Sequence, residues 1–450
     1  MGITLLHDRL VATATRPRYQ LFLGLGGVLT VVGLLLFGLS LSGGQADRAW
    51  HLFHVNWLFF TGITAGSVAF TAVQKVTKAR WSGVIIRFAE ASSGFLPVSF
   101  VGFLLIFTVG YHHIYPEMEG LSPGKTLWLS HNWMFWRLGV GLLALYGLGF
   151  QLIRADLVQD LHELRGSTTG WRRRLYDGWT IGFDGSPAAA ARVDQTIFTL
   201  APIYVVAYAI VLTLVAFDGI MALQPHWFSN LLGGFFFMGS FLGAHMLLAL
   251  MMLFGGRELG VSDLISPKQR HDLGKLCFGF TVFWAYLMWA QFLVIWYGNL
   301  PEETGFVFAR LWGPWLPVGK AVFLGMFVIP FTGLLGVLPK KTPATLALFT
   351  TVSLVALWLE RYLLVVPSVT AEPGPRFGAP ELGPTLAFPG LFLLSYWVFA
   401  QAFPMISPRL AEATLERERT HGHVEGEFLH EESPSDYPSD ASLERRHRQR

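Results

Sequence analysis

Ionisable side chains stranded inside long apolar runs are where this sequence would do chemistry. A charge within hydrocarbon costs roughly 3 kcal/mol or more, so such groups default to functional candidates. Toward the boundary argued below to be the inner one lie Arg87 and Glu90, three residues apart and so on one helix face. Pro97, further along that run, is expected to bend the helix and free a backbone carbonyl. His245 sits deeper, in the sixth run. Toward the outer boundary lie Asp218 in the fifth run, Lys320 in the eighth, and Glu360 with Arg361 in the ninth. His131 and Arg137 open the fourth run; His54 and Asn56 open the second. Arg87, Glu90 and His245 read as an inner proton path. Asp218, Lys320, Glu360 and Arg361 read as an outer one. Asp218, His54 and Arg137 are also suited to hydrogen-bond a polar head group such as a quinone's. The competing reading is plain pairing between helices, with Asp218 or Glu360 held by Lys320, Arg361 or Arg137.

Tyrosines form two further stripes. Lys275, Tyr286 and Tyr297 recur at helical spacing along the seventh run, and Tyr204 with Tyr208 along the fifth. Inside a bundle such stripes hold water chains that pass protons. The simpler reading is that buried tyrosines satisfy their hydroxyls on backbone. Metal chemistry has little to work with. A single cysteine, Cys277, leaves no disulfide, paired-cysteine zinc site, haem attachment or cysteine-held cluster. His245 has no histidine at its own depth to share a haem. His51, His54, His112, His113 and His131 gather near the outer boundary, and His421, His423, His430 and His447 are scattered through an acidic tail. No phosphate-cradling loop, nucleophilic triad or nucleic-acid motif is present.

The elements that must position these groups are membrane helices. Only 14% of residues are charged and 52% are hydrophobic, too few charges to solvate a globular surface of 450 residues. Ten apolar segments stand out, at roughly 21–41, 50–75, 84–110, 133–153, 196–222, 227–254, 274–298, 314–338, 343–366 and 384–405. The polar, basic start lacks the apolar stretch and cleavage site of a signal peptide, so the first segment is expected to be a retained helix. With the amino terminus inside, 26 of the 33 Lys and Arg fall on the cytoplasmic side, four outside and three within helices. That bias fits an even number of crossings with both termini cytoplasmic. Tryptophans from Trp50 to Trp315 cluster near the outer face, as an aromatic belt does.

The chain divides into a cytoplasmic start (1–20), a membrane domain (21–405) and a polar cytoplasmic tail (406–450), flexible or ordered only on a partner. The basic inner loop from about 154 to 195 is expected on the membrane surface or against a partner. Phe60-x-Gly62-x-x-x-Gly66 in the second segment is echoed by Phe237-x-Gly239-x-x-x-Gly243 in the sixth. Small residues four apart let helices approach closely. The echo implies two parallel four-helix bundles, helices 2–5 (about 50–222) and 6–9 (about 227–366), with helices 1 and 10 peripheral.

Three runs extend this reading to a family. Phe217-Asp218-Gly219-Ile220-Met221 with Trp227, Trp296-Tyr297-Gly298-Asn299-Leu300-Pro301-Glu302-Glu303-Thr304, and Pro373-Gly374-Pro375 with Gly378, Glu381 and Gly383 together resemble the NrfD/PsrC-type quinone-interacting membrane subunits. Within that group they resemble the ActF-type subunit of alternative complex III, a bacterial quinol:electron-acceptor oxidoreductase. The resemblance spans about residues 15–405. It implies a subunit in a bacterial cytoplasmic membrane, without a bound cofactor of its own apart from a possible quinone. Its implied partners are an ActC-like membrane subunit, an iron–sulfur subunit, multihaem cytochrome c subunits and a terminal oxidase, with lipid around it and no nucleic acid. Electrons would move through the partners' iron–sulfur clusters and c-type haems. The ActF-like subunit would conduct protons or support the quinol site and would not catalyse alone. Only Asp218 carries over from the family pattern, as the carboxylate of the fifth helix. Two rival readings stand beside it: a structural scaffold, in which the buried charges only pair helices, and a stand-alone secondary transporter.

Overall fold

Ten helices long and apolar enough to cross a bilayer make up the computed structural model, which describes residues 3–15, 19–116, 120–370 and 374–418. They are α1 (Gln20–Ser42), α2 (Ala46–Val76), α3 (Ile86–Ile114), α4 (His131–Leu164), α5 (Pro187–Gly219), α6 (Leu232–Leu259), α7 (Pro267–Gly298), α8 (Gly313–Leu334), α9 (Pro343–Val369) and α10 (Ala379–Ala402). The protein is an all-α, multi-pass membrane protein, with no strand among the described residues. The expectations for the tail beyond residue 418, including its four histidines, fall outside the described residues.

The helices outrun their apolar stretches. α4 has 34 residues, about 50 Å at 1.5 Å per residue, against a hydrocarbon core of about 30 Å. Its last turns, and the first turns of α5, therefore extend into polar sequence. The inner loop expected over 154–195 shrinks to 165–186, and much of that is one further helix, Gly170–Trp179.

α2 is the centre of the molecule, and every residue of its membrane window is buried. Helices α3, α4 and α5 pack around it, while α7 and α9 pack on α6 and α8 packs against α7 and α9. The two bundles join along α2 and α6, with α9 also against α2 and α5 against α6. Gly62, Gly66 and Gly243 of the echoed glycines lie in this seam, while Gly239 faces Arg361, Trp284 and Leu357. A methyl on Gly66 would stand 2.9 Å from the Ser240 carbonyl of α6, and one on Gly243 would stand 2.9 Å from Ile63 of α2. Lacking side chains there, the two helices approach closely enough for backbone dispersion contacts. α1 lies along α10 through a second glycine seam, Gly33 against Ala387 and Gly26 against Gly390. α10 in turn packs on α2 and α3.

α3 is irregular in two places. Residues Ala91–Phe95, just before Pro97, tighten into a 3-10 turn, the distortion Pro97 foreshadows. Residues Ile106–Gly110 widen into a π turn, and α8 does the same over Leu324–Val328. π turns often mark functional positions. The Trp296–Thr304 run is a stop and restart: α7 ends at Gly298, Asn299 adopts a left-handed conformation (φ 47°), and Pro301 opens the helix Pro301–Leu311 with Glu302 and Glu303 in its first turn.

Both described ends of the chain meet on one face, called here the terminal face. The helix Ile3–Thr15 buries Leu6, Leu10 and Ala14, and His7 donates to Glu412 at 2.8 Å. Arg9 grips Asp263, in the connection after α6, at 2.7 and 2.8 Å. The hydrogen bond from Arg9 holds the Asp263 carboxyl below its usual value. A lowered carboxylate pKa means this contact is intact at neutral pH and is lost as pH falls through the lowered value. Asp263→Asn should reproduce that loss at neutral pH and speed amide exchange in residues 3–15 several-fold; unchanged exchange would show that apolar packing alone docks the helix.

Candidate functional site

The first buried cluster lies near the terminal face. Arg87 and Glu90 share a face of α3, and Asp156 and Asp160, four apart, share a face of α4. Arg87 and all three carboxylates are essentially inaccessible to solvent. Arg87 donates from Nη1 to Glu90 and to Asp156 Oδ2 (3.1 Å), and from Nη2 to Asp160 and to the Asp156 carbonyl (3.0 Å). Lys75, in the last turn of α2, donates to Asp156 Oδ1 at 2.5 Å. Ser407, after α10, donates to Asp160 Oδ1 at 2.8 Å, and half-exposed Arg409 stands 3.8 Å from that oxygen. Three elements of the first bundle and the segment after α10 thus meet in one charge network. It is incomplete: Glu90 Oε1 and Arg87 Nε are buried without a partner. Sequence analysis found Arg87 and Glu90 but not Asp156 and Asp160, which it placed in a loop. Their four-residue spacing beside an apolar run was the available signal.

The second cluster is at the opposite face of the same bundle. Arg137 of α4 holds Asp218 of α5 in a two-pronged pair, Nε to Oδ2 at 3.0 Å and Nη2 to Oδ1 at 2.5 Å. Its guanidinium lies 3.8 Å from the Trp128 ring and also donates to the Trp128 carbonyl at 3.2 Å. His54 of α2 donates from Nε2 to the Gly219 carbonyl at 2.7 Å, next to Asp218 in sequence. His54 Nδ1 and the hydroxyl of Tyr115, whose rings meet edge to face at 6.1 Å, are buried without partners. His131 stacks on Tyr111 at 4.0 Å and donates to the Phe107 carbonyl, inside the π turn of α3, at 2.7 Å. Asp218, Arg137 and His54 are therefore brought together as sequence analysis grouped them. Tyr115 was missed, and only its closeness in sequence to His112 and His113 pointed to it.

Between the clusters lies a chain of hydroxyls. Thr61 Oγ1 of α2 is 2.5 Å from Ser99 Oγ of α3, which is 2.8 Å from the Tyr146 hydroxyl of α4. Along α4, Tyr146 is nine residues from Arg137 and ten from Asp156, roughly 14 Å from each by helix rise. Thr64 and Thr71 of α2 are buried with unpartnered hydroxyls, and Gln74 near the terminal face accepts from Ser82 at 3.1 Å. The first bundle therefore has polar groups at both ends and at mid-depth.

The second bundle differs. Arg361 is buried at the junction of α9 and α6, donating to Glu360 (2.9 Å), the Phe236 carbonyl (3.1 Å) and Ser240 Oγ (3.2 Å), over the Phe236 ring. Glu360 Oε2 points toward the Trp284 indole, short of a well-formed hydrogen bond. Asn56 accepts from Trp358 of α9 at 3.0 Å, tying the bundles together. His245 donates to its own helix at Phe241 O (2.7 Å) and is boxed by Phe70, Phe241 and Phe280. None of these contacts links it to Arg87 or Glu90. The remaining expectations are corrected in position. Lys275, Tyr286 and Tyr297 do share a stripe, but it is exposed, on the outside of α7, with Lys275 paired to Asp272 at 2.7 Å. Lys320 is exposed too and does not pair with Glu360. Periodicity put the α7 residues on one face without saying which face meets lipid. Tyr204 and Tyr208 follow the simpler reading, donating to the backbone carbonyls of Ala65 (3.1 Å) and Phe237 (2.7 Å).

No protein-family model matches the chain, and no curated protein is significantly similar to it.

Proposed function

We propose that this chain is the membrane subunit of a respiratory quinol oxidoreductase, similar to the ActF-type subunit of alternative complex III, and that its first bundle carries protons between the two faces. The observation that carries the reading is the Thr61–Ser99–Tyr146 hydroxyl chain at mid-depth, between one buried acid cluster and another. Ionisable groups inside membranes typically line ion and proton routes. Hydroxyls both donate and accept, so a row of them passes a proton by donor–acceptor exchange. Each gap, about 14 Å along α4 by helix rise, would be crossed by a file of several waters. Partner-free Glu90 Oε1 and Arg87 Nε are where such waters would attach at one end, and His54 Nδ1 and the Tyr115 hydroxyl at the other.

In this reading the terminal face is cytoplasmic, as the lysine and arginine bias suggests, and the membrane is the bacterial cytoplasmic one. With Nε2 donating to Gly219, His54 Nδ1 is an acceptor suited to a quinol hydroxyl, the Tyr115 hydroxyl can donate to a quinone oxygen, and Asp218 with Arg137 holds the charge beside them. A bound quinol would supply two protons and two electrons. The protons concern this chain's residues; the electrons go to partner subunits carrying iron–sulfur clusters and c-type haems. Purification of the native assembly tests the family reading: c-type haem absorbance and iron–sulfur signals should copurify with the chain. Glu90→Gln should then slow quinol turnover several-fold while leaving the assembly intact. A chain that purifies alone, or a Glu90→Gln assembly with normal turnover and proton release, would overturn the proposal. The scaffold reading is favoured only in the second bundle, where Arg361 finds its partners within the protein beside an aromatic ring.

A further inference from the structure

Two arginines stand at equivalent places on neighbouring helices. On α4, a lipid-facing stripe of exposed apolar residues (Trp136, Val140, Leu143 and Phe150) runs toward the terminal face and ends at exposed Arg154. On α5, Ile210, Val206 and Ile203 run the same way and end at exposed Thr196 and Arg192. Arg154 and Arg192 line one cavity of about 310 Å³, shared with Trp179, the last residue of the helix Gly170–Trp179, and Phe183 just after it. The nearest acids are otherwise engaged. Asp194 accepts from Gln159 at 3.0 Å. Asp184 accepts from the Ser186 backbone at 2.9 Å and feels Arg192 only at longer range. Gln151 adds a side-chain amide donor to the same lining, while the Thr196 hydroxyl donates to the Arg192 carbonyl at 2.9 Å.

From this we infer that the groove between α4 and α5 is a binding site for an anionic glycerophospholipid, its phosphate between Arg154 and Arg192 and its acyl chains along the two apolar stripes. Charge complementarity selects an anion, because two cations share a lining with no acid paired to them. Continuity with the lipid-facing stripes selects a lipid: a free phosphate would satisfy the arginines and leave the apolar approach without purpose. Basic pockets between membrane helices are established settings for acidic head groups. A tryptophan at the rim suits the depth of the head-group boundary.

The test uses the full-length chain purified in detergent. Native mass spectrometry with added phosphatidylglycerol should show one retained lipid, and phosphatidylcholine at the same concentration should not compete. In Arg154→Gln/Arg192→Gln, retention should fall about tenfold or more, since each cation at the head-group plane contributes on the order of tenfold or somewhat less. Arg154→Lys/Arg192→Lys should keep most of it. Lys268→Gln, in a different basic cavity on the same face, should change nothing. Equal retention of both lipids, undiminished binding by the glutamine variant, or protection of the site by inorganic phosphate alone would overturn the assignment. Should the glutamine variant fail to fold, progressive delipidation of the native protein decides: phosphatidylglycerol lost no later than phosphatidylcholine is the overturning result.

Discussion

Arg87→Met should be the most destabilising single substitution in this protein. It removes the cation that binds Glu90, Asp156 and Asp160 at once and leaves three enclosed carboxyls with only Lys75, on Asp156, and Arg409, 3.8 Å from Asp160, as nearby cations. Removing one partner of a buried pair typically costs about 3–5 kcal/mol, because the other charge stays buried and uncompensated. Here three groups are stranded. The folded protein in detergent should melt well below the wild type or not accumulate. Two companions separate charge from packing. Arg87→Lys keeps the cation but loses the fork that reaches both α4 acids, and should sit between wild type and Arg87→Met. Arg87→Met/Asp160→Asn removes one stranded charge and should regain part of the loss. If Arg87→Met melts within a degree or two of wild type, the cluster is hydrated and exchanging protons freely, and its structural role has been overstated. The same result would strengthen the case for a proton route, so this measurement bears on both.

Which parts of this arrangement were legible in the sequence follows from what each signal measures. Hydropathy measures length and apolarity, so the ten crossings were readable; the glycine echo was readable as a repeat, but that Gly62, Gly66 and Gly243 meet across α2 and α6 was not. Asp156 and Asp160 were not, because α4 continues past its apolar stretch and carries them into the protein interior. The packing of α2, α3 and the segment after α10 hides them from water. Thr61, Ser99 and Tyr146 were invisible for a different reason. An uncharged hydroxyl costs little in an apolar run, so nothing in composition marks three of them as neighbours; that needs the α2–α3–α4 geometry. Lys275, Tyr286 and Tyr297 show the converse failure. Their spacing defined a true stripe, but a stripe becomes a path only if it faces protein, and α7 turns this one outward. Arg137 and Asp218 were readable as candidates, since charge in hydrocarbon demands a partner; that the partners are each other was one of several pairings left open.

Tyr146→Phe should have the largest effect on function for the smallest effect on fold. The phenyl ring fills the same space, and the hydroxyl's hydrogen bond to Ser99 contributes only about 1 kcal/mol to stability. The melting temperature should therefore barely move. If protons cross the first bundle by way of the hydroxyl chain, the substitution removes its link to α4, and proton-coupled turnover of the intact assembly should fall by about a hundredfold, the lower end for a lost proton-transfer group. Ser99→Ala should act alike, because it takes out the middle of the chain, and Tyr146→Phe/Ser99→Ala should be no worse than either alone, as expected for links in series. Tyr208→Phe is the matched control. That tyrosine is buried at similar depth but donates to a backbone carbonyl beside the second bundle, so its loss should leave turnover unchanged. Equal rates in Tyr146→Phe and Tyr208→Phe would place the route elsewhere and leave the Thr61–Ser99–Tyr146 chain as a device for packing α2, α3 and α4.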